Sequence, residues 1–197
     1  MKLTKTEIIL AKGAFANSPD WSTCRNEIET AIKAVVWPQG SDRFIICPDR
    51  GRGRGVGNGV VPIKLAFLES LRVSGWNTEE RKNPLRFDAF KELPNGKGIG
   101  LEWETGNISS SHRSVNRILR AHLDGLLIAG ALVLPTRNMY QYLTDRVGNY
   151  EEIESYFPVW RIYPWKEGVL AIFAVEHDST DESVPRIEKG TDGRALL

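Results

Sequence analysis

Only two of the 197 residues are cysteine, Cys24 and Cys47, and the three histidines, His112, His122 and His177, are scattered. Neither CxxC spacing nor a Cys/His cluster is present to build a disulfide framework or a zinc site, so two reduced thiols are expected. Long apolar runs are missing as well. The longest, Leu126 to Leu134, falls far short of the about 20 residues that span a bilayer. Met1 to Gly13 sets Lys2, Lys5 and Lys12 around a short Ile8-Ile9-Leu10, without the sustained apolar region or cleavage site of a signal peptide. The expectation is a soluble, cytoplasmic protein with no membrane partner. No repeat or low-complexity linker divides the sequence, which reads as a single domain over residues 1–197. Net charge is nearly absent too, since 26 Lys and Arg stand against 25 Asp and Glu, and as a sum this gives no pointer to nucleic acid.

What is present suffices for a core without staples: 41% of the residues are hydrophobic and 26% charged, which excludes a disordered chain. Helical periodicity is read over Thr6 to Phe15 and over Asp20 to Val36, the latter through Ile28, Ala31, Ile32 and Val35. Phe44 to Cys47 reads as a short strand, and Pro62 fits the first turn of a helix carrying Leu65, Leu68 and Leu71. Ile99 to Trp103 reads as a strand, Ser109 to Leu123 as a helix, and Leu126 to Leu134 and Gly168 to Val175 as buried strands. Short helices are expected over Arg137 to Leu143 and Tyr150 to Tyr156. The pattern implies an α/β fold, a mixed central β-sheet flanked by helices.

Charge becomes informative once it is read by segment. From Arg43 to Lys64 five basic residues, among them Arg52 and Arg54 of a glycine-rich loop, oppose one acid, a local charge of +4. Alternating Arg and Gly suits a phosphate backbone. From Glu176 to Asp192 the balance is −4, and this acidic stretch is expected to lie away from nucleic acid. Glu102 and Glu104 flank Trp103 two apart on a strand, so both carboxylates are expected on one face. With Asp88 upstream they form an all-oxygen set suited to Mg²⁺ at a scissile phosphate. The helix that follows offers Asn107 or Ser109 as its cap, an apolar stripe of Val115, Ile118, Leu119 and Leu123, and a basic stripe of Arg113, Arg117 and Arg120. Asn107 and Arg113 are residue types that read adenine and guanine bidentately, and Asp145-Arg146 could engage a G·C pair.

The run Gly100-Leu-Glu-Trp-Glu-Thr-Gly-Asn-Ile-Ser-Ser-Ser-His-Arg-Ser-Val-Asn116, together with Tyr142 to Val147, Asn149 to Phe157 and Asn58 to Lys64, resembles the BamHI family of type II restriction endonucleases. The resemblance implies a PD-(D/E)xK-type core and a Mg²⁺-dependent homodimer that cuts double-stranded DNA at GGATCC, after the first G, to leave 5′ overhangs. It also implies a cognate DNA methyltransferase in the host. Asp88 and Glu102 would match metal-binding residues, Glu104 the glutamate that replaces the usual lysine, and Glu80, or its rival Glu79, a further acidic site residue. Asn107, Ser109, Arg113, Asp145 and Arg146 would match base readers, and Lys64 and Gly193 backbone contacts. Arg52 and Arg54 have no close counterpart in that relative and are expected to add backbone or minor-groove contacts. In such a dimer the apolar stripe of the helix after Glu104 is the candidate interface. A catalytically silent DNA-binding protein would have no use for the three carboxylates, and a less specific nuclease none for five base readers.

Overall fold

The segments 127–135 and 168–175 contain no polar side chain, as strands covered on both faces do, and the computed structural model sets them side by side. It describes residues 1–49, 57–78, 81–82, 85–104, 106–144 and 147–188. In chain order the elements are β1 (Lys2–Lys12), α1 (Pro19–Ala34), β2 (Ile45–Ile46), α2 (Val61–Val73), β3 (Asn77–Thr78), β4 (Arg81–Lys82), β5 (Leu85–Arg86), β6 (Ala89–Glu92) and β7 (Gly98–Trp103). There follow α3 (Ile108–Leu123), β8 (Leu127–Pro135), α4 (Arg137–Tyr140), α5 (Tyr150–Ile153), α6 (Phe157–Arg161), β9 (Gly168–Glu176) and β10 (Ser179–Thr180).

Six strands form the central sheet in the order β1-β9-β8-β7-β6-β3. Strands β7, β8 and β9 run parallel, while β1 and β6 are antiparallel to their neighbours, so the expected mixed sheet is present. Alternate residues divide its core in two. Leu101, Val133 and Phe173 pack with Ile28 and Ile32 of α1 and Phe67 and Leu71 of α2. Leu132 and Ile172 face the other way, toward Val115 and Ile118 of α3 and toward Tyr150 and Phe157.

Two expectations fail here. Thr6 to Phe15, read as helical, belongs mostly to β1, which pairs with β9 as an edge strand. Its register shifts between Leu3 and Lys5 and again between Ile8 and Leu10, and such bulges erase the period-two alternation that marks a strand in sequence. The apolar stripe of α3 is not an open interface either. Val115 and Ile118 are fully buried and Leu119 nearly so, within the core of this same chain; only Leu123 at the helix end stays exposed. The acidic stretch, in turn, carries structural bonds: Asp178 accepts from the backbone N–H of Phe44 at 2.7 Å, and Glu176 from Thr136 Oγ1 at 2.7 Å.

Helix α3 approaches the sheet at Gly130. A Cβ there would lie 2.1 Å from Ile118 Cγ2 and 3.2 Å from Ile118 Cβ, and a β-branched side chain packed on a helix cannot swing aside. Gly130→Ala should therefore destabilise the protein by about 1–3 kcal/mol through overpacking, a loss that thermal melts will read. The double variant Gly130→Ala/Ile118→Ala should lose less than the sum of the two single changes.

Candidate active site

Strand β6 pairs antiparallel with β7, Ala89 against Leu101, so one step further along the register Asp88 faces Glu102. Asp88 ends the ladder with its side chain: Oδ2 accepts from the backbone N–H of Trp103 at 2.8 Å. Its other oxygen, Oδ1, accepts from Lys64 Nζ at 2.6 Å. Lys64 lies in the first turn of α2, so the layer of helices on one side of the sheet supplies this cation. The layer on the other side supplies the second, since Arg117 of α3 donates through Nη1 to Glu102 Oε1 at 2.5 Å.

Glu102 is only 3% exposed. Burial, and after it the charge of Asp88, pushes its carboxyl up from an ordinary 4.5 to about 8, while Arg117 and Lys64 act in the opposite direction. This carboxyl is thus incompletely compensated by the protein's own cations. Two facing carboxylates in such a field offer the oxygen ligands that fit a hard divalent cation.

Glu104 stands one residue beyond β7, 4% exposed. Its Oε1 accepts from the backbone N–H of Gly106 at 2.6 Å, and its side chain lines a small cavity with Val60, Ile63 and Trp103. Among the described residues, no three of His, Cys, Asp and Glu are gathered closely enough to hold an ion. Asp88 and Glu102 are brought together, and Glu104 does not complete a trio with them.

The residues expected to read bases begin where β7 ends, at the carboxyl ends of parallel strands where ligands of α/β sheets are usually bound. Asn107 caps α3 by accepting from the N–H groups of Ser109 and Ser110 at 3.1 and 3.3 Å. Asn107, Ser109 and Arg113 are all exposed, and Arg113 donates to Ser110 Oγ at 2.7 Å. Asp145 and Arg146 lie outside the described residues, but their flanks are fixed. Thr144 N donates to Asn58 O at 2.9 Å, and Gly148 N donates to Gly106 O at 2.7 Å. The two segments expected to read bases are therefore joined backbone to backbone. Glu79, Glu80, Arg52, Arg54 and Gly193 also lie outside the described residues.

Two residues took on more than their sequence suggested. Arg117 was legible as part of a basic stripe but not as the partner of Glu102. Asn58, fully buried, donates through Nδ2 to Cys47 O and Tyr142 O and accepts from Ile187 N, at 2.8, 2.9 and 3.1 Å. It thereby clamps three loops beside the site.

Residues 1–194 match the family described as restriction endonuclease BamHI. The chain belongs to the BamHI family of type II restriction endonucleases. Within that family the type II restriction enzyme OkrAI of Oceanobacter kriegii is 46% identical over 204 residues, covering 100% of both chains. The type II restriction enzyme BamHI of Bacillus amyloliquefaciens is 35% identical over 181 residues, 85% of this chain and 80% of that one. In fold, the chain resembles restriction endonuclease BglII, solved in complex with a DNA 16-mer. The TM-score is 0.64 at 11% identity, covering 93% of this chain and 88% of that one.

The raised carboxyl of Glu102 makes a stability prediction for this BamHI-family member without metal. Because its folded pKa exceeds the unfolded one, the protonated group favours the fold at low pH, and that contribution is lost as pH rises from 4.5 through about 8. Glu102→Gln should consequently raise the melting temperature at about pH 9 and change it little at about pH 5. Thermal denaturation in a chelator at the two pH values checks the sign.

Proposed function

We propose that the protein is a Mg²⁺-dependent homodimer that cuts double-stranded DNA at GGATCC after the first G, leaving 5′ overhangs. It would act in the cytoplasm as a single endonuclease domain, alongside a cognate DNA methyltransferase. The observation that carries this reading is the placement of Asp88 opposite Glu102 at the same sheet end from which α3 presents Asn107, Ser109 and Arg113.

Asp88 and Glu102 would hold the cation, with Glu80 or its neighbour Glu79 adding a further carboxylate. Bound there, Mg²⁺ supplies positive charge to the scissile phosphate and lowers the pKa of a water. Lys64 stands where its ammonium can leave Asp88 for a phosphate oxygen. It returns an amine from another element to a site whose motif carries Glu104 in place of lysine. Glu104, gripped by Gly106 N, ties the chemistry to the turn that reads bases. Asn107, Ser109, Arg113, Asp145 and Arg146 would read the half-site from the major groove, and Lys64, Arg52, Arg54 and Gly193 would contact the backbone.

A palindrome calls for a twofold dimer in which each copy reads one half and cuts one strand. With the α3 stripe consumed by the core, the surface that supports a second copy lies beside it. Val159 is 60%, Ile162 82%, Tyr156 45% and Leu123 67% exposed. His112 and Tyr156 meet edge to face with ring centroids 4.4 Å apart, and Tyr163 Oη donates to Leu119 O at 3.2 Å, which ties the segment 156–163 to α3.

Plasmid digestion with and without Mg²⁺ tests the activity. The expected result is discrete fragments ending in GATC overhangs, only with the metal. A smear would indicate a nonspecific nuclease, and a gel shift without cutting a silent binder. Asp88→Asn should lose more than about 100-fold in rate, beyond the loss from removing a mere supporting partner of a ligand, yet keep Ca²⁺-supported binding. For the dimer, Val159→Glu with Ile162→Glu should sediment as a monomer; an unchanged dimer would place the interface elsewhere.

A further inference from the structure

Arg117 differs from the other arginines of its helix. Arg120 pairs with Asp124, which caps the same helix, at 2.9 Å on the surface, and Arg113 reaches Ser110 one turn back. The Nη1 of Arg117 instead leaves the helix in two directions. It donates to Glu102 Oε1 at 2.5 Å and to the backbone carbonyl of Arg86 at 3.1 Å. Glu102 is a buried carboxylate of β7, and Arg86 closes β5, two residues before Asp88. One guanidinium nitrogen thus joins the helix that carries the proposed reading residues to β7, which carries Glu102, and to the end of β5, two residues before Asp88.

The helix it extends from is held firmly. Val115 and Ile118 are fully buried, and Gly130 lets the helix lie close to β8. Arg113 and Arg117 are one helical turn apart on the same face. A displacement of the first turn, as when a base pair fails to match its readers, is passed to Arg117 by the rigid helix.

We propose that Arg117 is a positioning residue of the cleavage reaction, aligning Glu102 and the segment before Asp88 with the helix that reads the bases, so that recognition and cutting are coupled. The inference rests on the assignment of Glu102 to the metal and of the first turn of α3 to the bases. A planar guanidinium holds two acceptors in fixed directions where an ammonium offers only a point charge, so lysine should replace it in part.

The test uses the full-length protein and two duplexes, one with the cognate hexamer and one altered at a single base pair. Single-turnover rates are measured in Mg²⁺, and equilibrium binding is measured in Ca²⁺ over a range of salt. Arg117→Ala is expected to slow cognate cutting by about 10- to 100-fold, as loss of a partner that orients a metal ligand does, with cognate affinity and its salt slope unchanged. The rate ratio between cognate and altered duplexes should shrink, and Arg117→Lys should recover part of the rate. Three results would overturn the proposal: an unaffected rate; weaker binding with a salt slope smaller by about one, which marks a phosphate contact; or equal slowing on both duplexes. Should Arg117→Ala not fold, Arg117→Met and Arg117→Lys are compared by the same criteria. Wild-type cutting at another hexamer overturns the GGATCC assignment alone, and the series is then read on that hexamer. Wild-type protein that cuts nothing overturns both.

Discussion

Two carboxylates facing each other across neighbouring strands, one of them almost wholly out of water, repel, and the structure is arranged around that repulsion. Each of the two helical layers sends one cation into the gap: Lys64 from α2 and Arg117 from α3. The N–H of Trp103, which lies between the two glutamates in sequence, closes on Asp88 and leaves β6 and β7 in register. Without those cations the burial of the Glu102 carboxyl would be compensated still less. With two cations the site is tolerable, and the compensation of Glu102 remains incomplete, which is where the proposed cation would act.

Much of this framework can be read in the chain itself, and the failures have physical causes. Strands β8 and β9 are legible because both faces are covered, so their sequences are unbroken runs of apolar residues. Strand β1 is illegible because its two register shifts place Ile8, Ile9 and Leu10 in succession without alternation. Its lysines, which suggest a solvated helix face, are what an edge strand carries to discourage further pairing.

The site divides in the same way. Glu102 and Glu104 are visible as a spaced pair, but strand spacing cannot show that the second lies past the last strand residue and turns to Gly106. Asp88 could be added as an acid upstream of that pair, but its place opposite Glu102 could not be read, since β6 is too short for its pattern to stand out. The bond of Lys64 to Asp88 joins residues 24 apart in sequence, from different layers. No periodicity carries that information. For α3 the stripe was located correctly and its use misjudged, because a hydrophobic face says that something covers it without saying whether the cover is the same chain or another.

The bond from Gly148 N to Gly106 O bears on how such an enzyme could acquire a new target. It fixes the spacing between two stretches of chain that β8 separates in sequence, one preceding α3 and one following α4. A Cβ at Gly148 would fall 2.2 Å from Ser111 Oγ and 3.3 Å from Ile108 Cα, so the joint is packed tightly as well as bonded. A side chain on either stretch can be exchanged, but the distance between the stretches cannot be tuned by one exchange. If the two stretches read bases as proposed, drift toward a different recognition sequence proceeds by replacing side chains on a fixed frame, or by rebuilding both stretches at once.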